Sequence, residues 1–547
     1  MSILNSDDNR VLAPAWYRSE DAIYSAELRA LNKIKSVTPE FSSLEYLLDV
    51  FKKCPSFDIA LELFSVAFTE NSIDIAKMAA QYIIESNKVI PLTLKIFCEK
   101  VIFNDTKNSV LHENIKEQIK YKKIWLRENP FDCLSWVDLS RLYMSVGQSK
   151  QAEKAMLTGL GLSNNNRWVT RVSSRFFFHL EEYERSHSIL VKHPNISNDP
   201  WLLASELAIS NSYGRNSKFW LNAKRALQFG YSPCHTSELQ SSIGTLELKS
   251  GALKRAKLLF SNSLVHPNGN VFAQAKWAER KGNIKNLVQH EDLIKHQKAF
   301  EAKYQEAYYN KNMTLALLFA KEWLEEEPFN PKPAIHASYI ASLLDDYQQC
   351  RDISEKGLQI NPSDETLKLN LIFSEISLEH LEKDGVTSES YLKALDVVNE
   401  VLREGDEETL PHAYANLGLL YYKTGDLEKG KEFYELATEY FKRNNHPSFV
   451  LAELNHLREA LISDSPWKES LFKSLEESAK LGGVWDEPCV SFYLEKLQAI
   501  RISPQNWKVL LTEQKKQIVE EESAVFPRER FDFSNQSPTI WLPPKIK

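Results

Sequence analysis

The sequence predicts an all-α protein, an α-solenoid of stacked helical hairpins, and three observations carry that prediction. Small and large apolar residues fall at helical spacing on two short segments, Tyr414-Leu417-Gly418-Tyr421 and Phe433-Tyr434-Ala437, separated by Thr424-Gly425-Asp426. That reads as helix, tight turn, helix, with Gly418 small enough for close backbone approach and Gly425 free to take a positive φ. The same pattern returns at 131–165, so it is a repeat; one such unit cannot bury its apolar face alone and needs neighbours. Finally, 17 glycines in 547 residues is less than half the usual share of about 7%, which leaves few glycine-rich phosphate loops or tight β-hairpins.

The unit that starts at His412 resembles the tetratricopeptide repeat, following its 34-residue pattern of Trp/Tyr, Leu-Gly, Tyr, Ala, Phe and Pro at most anchor points, with Gly430 where that family usually has Ala. The resemblance implies a right-handed superhelix of such hairpins whose inner surface, made by the first helix of each pair, binds extended peptides or partner helices.

Taken in order, residues 1–20 read as an N-terminal arm in which Trp16 and Tyr17 pin the chain to the first helices. Residues 21–128 read as a divergent helical region. Its stripes LEYLLDVFKK, DIALELFSVAFTE, SIDIAKMAAQYIIES and PLTLKIFCEKVIF are separated at Cys54-Pro55, Asn71-Ser72 and Ile90-Pro91. The stretch 112–128 is one longer helix in which Lys116, Lys120, Lys122, Lys123 and Arg127 outnumber the acids; a solvated face accounts for it, and an acidic or phosphate partner is the alternative. The repeat region spans 129–445. Its second clear unit carries Trp136, Leu139, Tyr143, Gly147, Ala152 and Met156 at the family's spacing, with Ser140 replacing the usual Gly. Weaker units follow at 171–191 and 201–229, then a stronger one at 236–267 with Gly244, Gly251, Ala256 and Phe260. An extra helix is expected at 271–280, and units at 300–328 and 331–362 precede two long helices over 365–403. Residues 446–523 read as four capping helices, the last at 507–522. The tail, 524–547, has Pro527, Pro538, Pro543 and Pro544 among Phe531, Phe533 and Trp541, so it is extended. Apolar anchors at irregular spacing suit a strap docked in cis or in trans; a disordered tail is the third reading.

Composition narrows the function classes. A formal charge of −7 gives no overall basic footprint, which disfavours nucleic acid as a direct ligand. The 6 scattered cysteines form no Cys-x-x-Cys pair, and the acidic N-terminal stretch has no apolar core of signal-peptide length. With no run of 18 apolar residues, a cytoplasmic protein that does not cross a membrane is expected. Neither a phosphate loop, nor His-Glu-x-x-His, nor Gly-x-Ser-x-Gly is present, and Gly159-Leu160-Gly161 ends a helix rather than opening one. The 13 histidines offer no i, i+4 pair with a carboxylate, so no metal and no cofactor are expected.

Carried over from the family unit by unit, the groove positions fall on Val137, Arg141 and Met144-Ser145, then on Ser241, Thr245 and Leu248-Lys249. Further along they are Ile335, Tyr339 and Ser342-Leu343, and last Ala415, Leu419 and Tyr422-Lys423. Repeats that clamp a chaperone's C-terminal carboxylate carry Lys and Asn there; this mixture suits a protein segment with hydrophobic anchors, Tyr339 and Tyr422 foremost. The expected function is a scaffold or adaptor that binds a partner protein, either a peptide segment or a domain, with no chemistry of its own. A sensor subunit that switches a separately encoded enzyme, and an enzyme with a site in the terminal helical regions, are the alternatives.

Overall fold

The computed structural model describes residues 43–69, 72–86, 98, 101–102, 115–163, 165–296, 298–378, 395–396, 399, 403 and 410–502, and among them every regular element is helical. The expected arm at 1–20, the helix at 507–522 and the tail anchors Phe531, Phe533 and Trp541 lie outside the described residues. At the N-terminal end, α1 (Ser43–Lys53), α2 (Phe57–Thr69) and α3 (Ile73–Glu85) pack around Phe51, Leu63, Ala67, Ala80 and Ile83. The basic helix α4 (Ile115–Glu128) lies against the start of the repeats, where Leu126 meets Leu139 and Ala155.

The hairpins then follow one another. The first is α5 (Cys133–Met144) with α6 (Ser149–Leu162), the second α7 (Arg167–His179) with α8 (Tyr183–Val191), the third α9 (Pro200–Ser212) with α10 (Trp220–Ala226). The fourth is α11 (Pro233–Lys249) with α12 (Leu253–Ser263), the fifth α13 (Gly269–Lys281) with the short α14 (His290–Lys295). The sixth is α15 (Phe300–Tyr309) with α16 (Met313–Glu326), the seventh α17 (Pro331–Leu343) with α18 (Tyr347–Ile360). Next come α19 (Glu365–Leu378), the eighth hairpin of α20 (Leu410–Thr424) and α21 (Leu427–Arg443), the ninth of α22 (Phe449–Ile462) and α23 (Lys468–Ala479), and α24 (Pro488–Ile502). Helices pair within hairpins, and first helices pack on the next first helix, as in a solenoid. The extra helix expected at 271–280 is α13, the first helix of a hairpin.

Two local devices repeat. Five of the first helices start at polar caps: Asp132, Asn166, Asp199, Asn268 and Asn330 each accept a hydrogen bond from a backbone N–H of the first turn, and Pro200 and Pro331 follow their caps directly, where no intrahelical N–H is lost. Most turns between paired helices contain one residue in the left-handed region: Gly147, Glu181, Gly251, Lys311, Asp345, Gly425 and Asp464. The next N–H then reaches back five residues to close the helix end, as from Gln148 to the Tyr143 carbonyl at 2.9 Å and from Asp426 to that of Tyr421 at 3.0 Å.

The departures from the family pattern have local causes. A Cβ at Gly430 would stand 2.6 Å from the Tyr422 ring, so the usual alanine does not fit there. Gly418 is held small in the same way by Tyr434, 2.7 Å from its would-be Cβ. Ser140, where a glycine is usual, sends its hydroxyl across the hairpin to the Ala152 carbonyl at 2.7 Å, and Ser174 does the same to Ser186 at 2.9 Å.

The coil is tight enough for successive turns to touch. Hairpins one and two meet the sixth-to-seventh connection: Arg141 Nη2 donates to the Glu325 carbonyl at 2.5 Å, Arg175 pairs with Glu327 at 2.5 Å, and the His179 and Phe329 rings are 5.1 Å apart. Hairpins six and seven in turn meet α24, whose Lys496 Nζ donates to the Leu343 carbonyl at 2.8 Å and to Asp345 Oδ1 at 2.7 Å. Gly147 belongs to the first seam. It has φ +71°, and a Cβ on it would lie 2.3 Å from the Gln359 carbonyl oxygen, whereas Gly251 at φ +83° has open space. Gly251→Ala should therefore cost about 1 kcal/mol of backbone strain, and Gly147→Ala about 2–3 kcal/mol because strain and collision combine; urea unfolding of the two variants measures the difference.

Candidate functional site

The inner face of the hairpins is the surface that the repeat architecture offers for recognition. On the first three hairpins it is built around α7, where Arg167, Arg171, Arg175 and His179 recur every fourth residue and so share one side of the helix. Arg167 and Arg171 are each 1% exposed and Arg175 7%. A guanidinium at such depth is tolerable only when its donors are taken up. Arg167 pairs with Asp199 at 3.4 Å; Arg171 donates from Nε to Ser205 Oγ at 2.9 Å, pairs with Glu238, and lies 4.8 Å above the Trp201 ring. Glu238 also accepts from Asn268 Nδ2 at 2.8 Å. Hairpins two to five thus converge on a single buried charge pair.

Of the expected groove residues in the first four hairpins, Met144 and Thr245 are interior. Met144, with Val137, packs in the cluster that holds Phe329 and Ile360, and Thr245 Oγ1 takes a hydrogen bond from Gln274 Nε2 at 2.7 Å. Arg141 remains partly exposed, with one guanidinium nitrogen on the Glu325 carbonyl.

Tyr339, Leu419 and Tyr422 were expected as open groove positions and are core side chains instead. Tyr339 is 3% exposed in the cluster that joins hairpins six and seven to Val490, Tyr493 and Leu497 of α24. Leu419 is fully buried; Tyr422, 5% exposed, accepts a hydrogen bond from Trp467 Nε1 at 2.9 Å and has His456 Nε2 at 3.0 Å. The physical reason is the tight pitch: the side of the helix that an open superhelix would present to a ligand is covered by the next turn or the next hairpin. Lys423, at the edge, is partly exposed.

Sequence reasoning did not single out Arg171, Arg175, His179 or the acidic stretch Glu325-Glu326-Glu327. The signal was present, as basic residues four apart on an otherwise apolar helix and as three consecutive carboxylates. Their electrostatics are tightly linked. Burial, then Arg175 and Lys332, hold the His179 imidazole well below its usual pKa, so it is neutral. Burial and then the adjacent Glu327 push the Glu326 carboxyl from 4.5 up to about 8, against the pull of Lys298, Arg141 and Arg175. Among the described residues no cluster of His, Cys, Asp and Glu could hold a metal ion.

Two predictions follow from these placements. Tyr339→Ala and Tyr422→Ala should each destabilise by about 3–5 kcal/mol, as core truncations do, while Lys423→Ala stays within about 0.5 kcal/mol; chemical unfolding reads both. Glu326 keeps its proton in the folded state between pH 4.5 and about 8 and loses it when unfolded. The folded state binds the extra proton in that window, so stability falls as pH rises through it and levels off above about 8. Glu326→Gln should flatten that part of the melting-temperature profile.

The tetratricopeptide repeat family matches the chain over residues 411–444. No curated protein sequence matches. Among solved structures, yeast Tom70 aligns at 13% identity over 86% of this chain and 99% of its own, with a TM-score of 0.28. A structure of Naa15/Naa10 bound to HypK-THB aligns at 12% identity over 91% of this chain and 94% of its own, with a TM-score of 0.20. Residues 411–444, which form α20 and α21, are a tetratricopeptide repeat, set in an all-helical solenoid of successive hairpins.

Proposed function

We propose that the chain is a protein-interaction scaffold or adaptor that receives a partner protein's segment on the inner face of its N-terminal hairpins and has no chemistry of its own. Tetratricopeptide repeats generally mediate contacts between proteins, and the observation that carries the reading here is that the inner strip of hairpins one and two already holds a non-helical stretch of polypeptide, Glu327 to Asn330. Of the carried-over groove residues Lys249 is exposed and Arg141, Ser145, Ile335 and Lys423 are partly exposed, and we assign Arg141 and Lys423 to the partner contact. The tail anchors Phe531, Phe533 and Trp541 are proposed as a strap for the same or a second surface. A reducing, cytoplasmic setting suits six free thiols, and no described helix is long and apolar enough to cross a membrane.

A second reading, a sensor whose pitch changes when a partner binds, is favoured by the small seam between the first and second turns. Solution scattering with and without the partner separates the two, since a static scaffold keeps its dimensions. The scaffold reading is tested by purifying the tagged chain from its native source with cross-linking and mass spectrometry. A partner cross-linked along hairpins one and two, and retained less by Arg141→Glu, is expected; a partner attached only through the outer helices α6 and α12, or none at all, removes the reading.

A further inference from the structure

The strip formed by Val137, Arg141, Met144, Arg175 and His179 has an occupant, and the occupant comes from the chain itself. Glu325 lies in the last turn of α16, and Glu327 and Phe329 lie between α16 and α17, all far along the sequence from the strip they contact. We infer that this contact is a latch, and that the surface beneath it takes, when the latch opens, a segment of another protein with the same chemistry: a carboxylate followed two residues later by an aromatic ring. The inference rests on the scaffold reading and names the class of partner for it.

Both halves of the recognition are visible in the self-contact. The acidic half is Glu327, whose carboxylate pairs with Arg175 at 2.5 Å, while Arg141 fixes the backbone by donating to the Glu325 carbonyl and the Glu325 carboxylate pairs with Lys356 of α18. A guanidinium facing a carboxylate is charge-assisted and directional, so it selects an acid at that place. The aromatic half is Phe329, 2% exposed, packed in one cluster with Val137, Met144, Val169 and Phe176 and beside the neutral His179 ring.

The geometry also says which of the two seams opens. The seam around α24 is continuous with the largest core, where Tyr304, Tyr308, Tyr339 and Leu343 meet Val490, Tyr493 and Leu497. Parting it would expose the interior of the sixth, seventh and ninth hairpins. The first seam holds the Arg175–Glu327 ion pair, the Arg141–Glu325 hydrogen bond, Gly147 against Gln359, and Phe329 and Ile360 in the apolar cluster beside His179. Outside the seams and the Arg171–Glu238 pair, hairpins pack mainly on their neighbours, so small rotations at the interfaces between the fifth and seventh hairpins suffice to separate the turns. While the latch is closed, the tethered segment outcompetes a free one by its effective concentration, and weak binding in trans is the expected resting state.

The test uses the full chain and a fluorescent synthetic peptide, WLEEEPFNPKPA, copied from residues 323–334. The double variant Glu327→Gln with Phe329→Ala should bind it at least about tenfold more tightly than the unaltered chain and should show a larger radius of gyration by solution scattering. A peptide with Gln in place of its three Glu should not bind, and adding Arg175→Glu should abolish binding. Unchanged dimensions together with no gain in peptide binding overturn the inference. Should the double variant lose its helical signal, the exchanged pair Arg175→Glu with Glu327→Arg decides: restored dimensions and protease resistance relative to either single variant support the latch, and no restoration overturns it. Partner capture by the unaltered chain is scored separately. A captured partner with no peptide binding removes only the latch; no partner on the inner face removes the scaffold reading as well.

Discussion

Everything in the first turn of this coil is arranged around the burial of Arg171. A charged group taken out of water costs several kcal/mol unless its partners are in place, and here they come from three different hairpins: Ser205 and Trp201 from the third, Glu238 from the fourth, with Asn268 at the start of the fifth completing the acid's bonds. Those demands can be met together only if hairpins two to five curve sharply toward a common centre. The pair contributes little net stability compared with an apolar replacement of the same shape, but it specifies the curvature, because any flatter stacking strands one of the two charges. Sharp curvature then brings the sixth and seventh hairpins under the first two, and α24 under the sixth and seventh.

Sharp curvature also explains why the interior is full. An open superhelix leaves its inner helices half wet, whereas here Tyr339, Leu419 and Tyr422 serve as packing between layers. The polar interior of the first turn and the apolar interior of the second are different solutions to the same crowding. In the first, arginines and acids interlock around Arg171; in the second, tyrosines and leucines mesh with α22 and α24, and the buried amine of Lys496 is met by a carbonyl and Asp345. Burial pulls the Lys496 pKa down to about 8 while Asp345 opposes it, and the same ammonium helps hold Asp345 below its usual range.

The fold class and the hairpin units were legible because they depend on local spacing. Gly147, Gly251 and Gly425 announced their turns, since glycine is the residue that takes a positive φ without strain. Glu181 and Lys311 adopt the same conformation with side chains that carry no such signal, and the units containing them looked weaker. The extra helix at α13 was read without its partner because α14 has only six residues. What the sequence could not disclose was the pitch. Periodicity marks which side of a helix faces inward, but an inward tyrosine that waits for a ligand and one that packs on the next turn have the same spacing. The Arg141–Glu325 contact joins residues 184 apart, beyond the reach of any local pattern. The repeat at 411–444 was the most legible stretch of the chain, while the seam involving 325–330 was among the least.

Consecutive turns in contact give the molecule the mechanics of a closed spring. Such a spring is stiff against shortening, because its coils already abut, and compliant against extension, because only the facing atoms resist. A load drawn between its two ends is shared by all the hairpin interfaces but is first felt as parting where the fewest atoms meet, at Glu327 and Phe329. A pull on the C-terminal hairpins is thereby registered at the N-terminal ones, with each hairpin itself unaltered.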